Sequence, residues 1–222
     1  MTGGEDTVGV RVPAHPVARA LLAAFARHGG HGIAAPSANR YGHVSPTTAR
    51  HVADDLGDRV STILDGGACD VGIESTIVAF AGDRPLLMRP GGVGVDAIAK
   101  VLGRAPQAPA AGAPRASGTH ASHYAPRTAA FLVEPHAVSA EVAGLCARDE
   151  AVAVLARTVS RPDDFDGRWI DAPRDVEGYA RDLYANLRAL DAEAADAIVI
   201  EAPPADTAWL AVRDRLERAT HR

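Results

Sequence analysis

Five short stretches of this sequence put polar groups at the ends of apolar segments, where a sheet protein presents its chemistry. They are Ala34-Ala35-Pro36-Ser37-Ala38-Asn39, Ser45-Pro46-Thr47-Thr48, Asp65-Gly66-Gly67, Glu74-Ser75-Thr76 and Arg89-Pro90-Gly91. If the segments share one sheet, main-chain donors, hydroxyls, one amide and one arginine would converge on a small anionic ligand of nucleotide type. Each stretch also has a plainer account. Ser37 and Asn39 follow a strand ending in Pro and suit a binding loop, but such residues often satisfy their own backbone in a turn. Ser45 before Pro46 is explained by helix capping alone, although a helix N-terminus is also an anion site. Ser75 could reach a phosphate or simply open a strand. Arg89 before a rigid Pro-Gly turn suits a phosphate or carboxylate; the alternative is a surface arginine.

The elements that must place these groups follow from periodicity. Val8, Val10 and Val12 alternate with Thr7, Gly9 and Arg11, the period of a half-buried strand. An arginine inside such a strand is costly unless it meets a core acid or binds a carboxylate. Val17, Leu21, Ala24 and Phe25 follow helical spacing from Pro16, until His28-Gly29-Gly30 breaks it. A strand is expected over 33–35. Ser45 is expected to cap a helix carrying Ala49, Val52, Ala53 and Leu56, ended by Gly57. Short strands are expected over 60–64, 76–80 and 86–88, and a last helix around Ile98, Val101 and Leu102.

Residues 105–127 hold four of the 15 prolines and no acidic group, so they read as a linker. The domain division is therefore 1–104, linker 105–127, and 128–222. In the last part, buried-strand runs over 129–133, 151–155 and 197–200 alternate with helical stretches, notably Tyr179, Leu183, Leu187 and Leu190. That alternation specifies a small parallel α/β domain. Tyr124, the linker's aromatic residue, could stack on a purine or anchor the linker on the sheet.

Composition bounds the function. The 222 residues are 47% hydrophobic, enough for real cores, and the net charge is -5. Residues 128–222 carry 11 basic and 18 acidic side chains, an excess of seven acids that makes a poor surface for a polyanion. Cys69 and Cys146 stand far apart with no CxxC, which gives neither a disulfide framework nor a thiolate zinc site. The sequence shows no apolar run approaching the ~20 residues of a membrane span, and a cytoplasmic location is expected. The pairs His28/His31 and His120/His123 have metal-compatible spacing but no carboxylate in place, so no metal site is assigned. Gly92-Val93-Gly94-Val95-Asp96-Ala97 lacks the acidic residue ~20 positions on that a dinucleotide fingerprint wants. A Walker loop and a GxSxG elbow are absent too.

Taken together, Thr7-Val8-Gly9-Val10-Arg11-Val12-Pro13-Ala14-His15-Pro16, Ala35-Pro36-Ser37-Ala38-Asn39, Ser45-Pro46-Thr47, Leu64-Asp65-Gly66-Gly67, Glu74-Ser75-Thr76-Ile77-Val78 and Leu87-Met88-Arg89-Pro90-Gly91 resemble the YrdC-like family of threonylcarbamoyl-adenylate synthases. His123-Tyr124-Ala125-Pro126 resembles the linker of its two-domain members, and the acidic tail resembles their accessory domain. The resemblance implies an α/β protein: a twisted mixed sheet of a YrdC-like domain plus a small Rossmann-like parallel domain. It also implies that a segment with a Lys-x-Arg phosphate-binding signature and the first strands precedes the position of Thr7. Here Met1-Thr2-Gly3-Gly4 stands instead, so the YrdC-like domain is expected to be incomplete at its N-terminus.

The implied reaction joins L-threonine, bicarbonate and ATP into threonylcarbamoyl-AMP and pyrophosphate, with Mg2+ on the triphosphate and no covalent enzyme intermediate. Arg11 and Ser75 would lie on the threonine side. Thr7, Ala35 through its main chain, Ser37, Asn39, Ser45, Arg89 and Tyr124 would line the ATP side, with Asn39 orienting phosphate or carbamate. The implied partner is the downstream tRNA threonylcarbamoyl transferase complex; a contact with tRNA or double-stranded RNA belongs to the same expectation, and a membrane does not. The competing reading is a binding module that keeps a nucleotide, threonine or RNA surface without synthesis. A third is an interaction protein built around the acidic C-terminal domain.

Overall fold

The computed structural model describes Gly4 and residues 7–109, 116–118 and 123–221; His120 lies outside them. Pro16–Arg27 forms helix α1, with Pro at its first position and His28 closing it onto the Phe25 carbonyl. Ala49–Leu56 forms α2 and Val95–Leu102 forms α3. Strands β1 (Ile77–Ala81) and β2 (Arg84–Arg89) pair antiparallel, with a register shift between Ile77 and Val78. Leu87 N–H donates to the Gln107 carbonyl and Gln107 N–H to the Pro85 carbonyl, so part of the expected linker lies as a third edge on this hairpin.

Three expected strands do not form. Residues 8–12, 33–35 and 60–64 join no ladder among the described residues. Alternation marks a face able to be buried, but a strand exists only where a neighbour supplies the other half of its hydrogen bonds. Unpaired, Val10 and Val12 are 83% and 91% exposed, and Leu21, Phe25 and Ile33 also reach solvent.

The C-terminal half is the parallel α/β unit that its sequence specifies. Ala129–Val133 (β3), Val152–Ala156 (β4), Trp169–Asp171 (β5) and Ala197–Glu201 (β6) lie in the order β3-β6-β4-β5, all pairs parallel. Alternate strand residues face opposite layers. Val152, Val154, Ala197 and Val199 pack with Val142 and Leu145 of α4 (Val138–Cys146). Ala153, Leu155, Ile198 and Ile200 pack with α5 (Val176–Asp191) and α6 (Leu210–Thr220) through Leu183, Leu187 and Leu216. Asp175 caps α5 by accepting from Gly178 N–H at 2.7 Å. The α5/α6 layer also takes in Val44 and Tyr124, so one core runs from the C-terminal unit into the loops that carry the candidate site.

Candidate functional site

Ser45 leaves the role of helix cap to Thr48, whose hydroxyl accepts from His51 N–H at 3.2 Å. The helix begins at Ala49, so its cap position falls on Thr48; Ser45, three residues earlier, instead donates its Oγ hydrogen to Glu74 Oε1 at 2.7 Å. The other oxygen, Glu74 Oε2, accepts from Tyr184 Oη at 2.9 Å and Arg215 Nε at 2.8 Å. Burial alone would raise this carboxyl, but the Arg215 guanidinium and the hydrogen bonds from Arg215, Ser45 and Tyr184 more than offset it and hold it below the usual carboxylate range.

Arg89 ends β2 and is 7% exposed. Its Nε and Nη2 donate to the Ser75 carbonyl at 3.1 and 3.0 Å, and its Nη1 donates to the Ser117 carbonyl at 2.8 Å. Tyr124 beside it is 2% exposed. Its backbone takes a φ of 63°, a conformation L residues avoid and hold only where packing fixes it. Here the ring meets Tyr184 at 5.5 Å and His123 at 4.1 Å, and the Arg215 guanidinium lies 5.4 Å from its centroid. Tyr124 thus packs on the α5/α6 layer through Tyr184, not directly on a sheet. Burial, with the Glu74 charge adding to it, pushes its phenol up.

Four of the predicted site residues, Ser45, Ser75, Arg89 and Tyr124, are thus linked through Glu74, Arg215 and the main chain. A second group lies apart: Arg11 Nη2 donates to the Ala35 carbonyl at 3.2 Å. Arg11 is exposed, so the argument that it needs an anion to offset burial does not hold. That argument rested on the strand that does not form. Thr7 and Ser37 are exposed. Asn39 Nδ2 donates to the His43 carbonyl at 2.8 Å, while its Oδ1 is buried with no partner among the described residues. No cluster of three metal-ligating side chains occurs among the described residues. None of their helices is long and apolar enough to cross a membrane.

Sequence reasoning missed Glu74, Tyr184, Arg188 and Arg215. Arg188 donates to the Val44 carbonyl at 2.6 Å and the Ser45 carbonyl at 3.2 Å and pairs with Asp55. The signal for Arg215 was present: it sits one turn before buried Ala219 and beside Leu216 on α6, a charged residue at a core position.

A two-domain α/β protein whose second domain reaches into a loop-built polar site is what fold and site define. Two family profiles match the chain and meet near residue 92. Residues 93–220 match the family profile described as threonylcarbamoyl-AMP synthase, C-terminal domain, and residues 1–91 match the one described as telomere recombination. The chain belongs to the threonylcarbamoyl-AMP synthase family. It is 35% identical to the threonylcarbamoyl-AMP synthase of Pyrococcus abyssi over 99% of this chain and 66% of the relative. It is also 35% identical to that of Bacillus subtilis, over 99% of this chain and 64% of the relative. The crystal structure of the P. abyssi protein complexed with L-threonine superposes with a TM-score of 0.85 at 34% identity, covering 99% of this chain and 65% of that one. The chain therefore spans a little under two thirds of the length of these relatives.

Proposed function

We propose that the chain carries out, or forms the larger part of, an L-threonylcarbamoyladenylate synthase: L-threonine, bicarbonate and ATP give threonylcarbamoyl-AMP, pyrophosphate and the water lost when bicarbonate carboxylates the threonine amine. The observation that carries this reading is that the similarity to synthases runs through both domains and covers 99% of the chain. An ancestral fragment kept for one binding surface would need only one of them.

In this reaction N-carboxylated threonine attacks the α-phosphate, the N-carboxylate oxygen forms the new P–O bond, and pyrophosphate leaves. No side chain has to become covalently attached, so the protein's task is alignment and charge stabilisation. Arg89 and the Ser45 hydroxyl serve the ATP side in this reading, with Ala35 offering main-chain groups, Thr7 and Ser37 hydroxyls, and Tyr124 closing the site. Asn39 Oδ1, buried and unpartnered among the described residues, is the group best placed to accept a ligand hydrogen bond. Arg11 and Ser75 serve the threonine side; the P. abyssi relative crystallised with threonine supports that ligand class. Mg2+ would arrive on the triphosphate oxygens of ATP, since no cluster of three metal-ligating side chains occurs among the described residues. The product, a mixed carboxylic–phosphoric anhydride, would pass to a transferase that modifies tRNA.

The test is threonine- and bicarbonate-dependent pyrophosphate release from ATP by the 222-residue chain, run beside the full-length P. abyssi relative. Release dependent on all three substrates is the expected result. ATP binding without release would instead establish the binding module.

A further inference from the structure

We propose that Arg215, on the C-terminal domain, is a positioning residue of the candidate ATP site, acting through Glu74 and Tyr124; the proposal rests on the synthase reading above. Arg215 is fully buried, and each of its three nitrogens has a separate target. Nε holds Glu74 at 2.8 Å, Nη1 holds Asp214 at 2.5 Å, and Nη2 donates to the Pro90 carbonyl at 2.9 Å. The face of the same guanidinium covers the Tyr124 ring. A single planar cation therefore ties down the loop before Ser75, the turn after Arg89 and the linker at Tyr124, and through Glu74 it sets the direction of the Ser45 hydroxyl.

Geometry favours arginine for this over any other cation. Three divergent N–H directions plus a stacking face are properties of a guanidinium; an ammonium would keep the charge beside Glu74 and lose the fork. The arrangement also gives the acidic accessory domain a task inside the reaction. It fixes residues that the other domain presents, adding one buried cation common to all three segments to the links that Arg89 and Tyr184 already make between them.

The test compares Arg215→Lys and Arg215→Gln with the parent chain in two measurements: affinities for ATP and for L-threonine by calorimetry, and amide hydrogen exchange along the folded protein. In R215K the ATP dissociation constant is expected to rise about tenfold, with threonine affinity changing less than about threefold, because Ser75 is the one threonine-side residue within the three segments and Arg11 lies outside them. R215Q should lose more ATP affinity than R215K. Exchange should quicken in segments 74–76, 89–91 and 123–126 of both variants, while β4 and β6 keep the parent's protection. Loss of affinity for both ligands together, tracking lost stability, would make Arg215 merely structural and overturn the proposal. So would parent-like exchange in the three segments. If the parent binds no ATP, the synthase reading fails, and the exchange pattern alone decides whether Arg215 holds the three segments.

Discussion

Glu74 receives hydrogen bonds from both halves of the molecule, so its ionisation is a stability term that can be titrated. Its folded pKa lies below the unfolded one, so its contribution is fully present above the unfolded value of about 4.3 and is lost as pH falls from there through the lower folded value. Glu74→Gln removes that dependence. The variant should melt below the parent at neutral pH, and the gap should narrow progressively as pH falls below the unfolded value of about 4.3 in a series of thermal melts. A gap constant with pH would mean that Glu74 titrates as an ordinary carboxylate. The two arginines contrast in the same way. Arg89→Ala gives up the part-buried hydrogen bonds to the carbonyls of Ser75 and Ser117, exposed residues where water can replace the donor, a net cost of roughly 0.5–1.5 kcal/mol per bond by denaturant titration, and ATP binding should weaken with it. Arg11→Ala gives up one exposed contact to the Ala35 carbonyl, so stability should hold within about 0.5 kcal/mol. Threonine binding should fall and ATP binding should not; equal loss of ATP in both variants would refute the division of roles.

At the scale of elements, what was legible depended on whether a segment carries its own evidence. β4 and β6 read as continuous apolar runs because both their faces are covered, β3 reads as one although it is an edge strand with Phe131 exposed, and α1 and α5 read from helical spacing. β5 has three residues, one of them Asp171, and offers no pattern to find. Residues 8–12 have a strand's alternation without a strand's neighbour. The expected cap is displaced by three residues, from Ser45 to Thr48, and the Ser45 hydroxyl turns instead to Glu74, 29 positions away. The loop at Gly72 shows how closely the elements meet. Gly72 has φ of +78°, and a Cβ there would lie 2.2 Å from the Arg181 carbonyl on α5. Gly72→Ala therefore carries both a left-handed backbone penalty of about 1–2 kcal/mol and a clash with main chain that cannot rotate away. Its melting point should drop well below that of Gly82→Ala, which has a similar φ of +61° and open space around it.

At the scale of the molecule, the question is whether the two domains unfold as one. Arg215 stands out in the sequence as a charge at a core position of α6, but its pairing with Glu74 does not, because the two are 141 positions apart and no local period links them. The same distance makes the contacts thermodynamically informative. Arg188 joins Asp55 of α2 and the Val44 and Ser45 carbonyls, while Val44 and Tyr124 are packed in the α5/α6 core. With half-buried charges and a shared apolar layer, the interface should transmit unfolding from one side to the other. A double-mutant cycle of Arg188→Ala and Asp55→Ala should give a coupling energy of about 1–3 kcal/mol, more than an exposed ion pair supplies. Calorimetry of the parent should show one transition whose measured enthalpy matches the van 't Hoff value. In Arg188→Ala the hairpin half, which has the smaller core, should melt first and separate from a later transition of the parallel sheet. Two transitions already present in the parent would mean that the Glu74, Arg188 and Arg215 contacts form without coupling the domains.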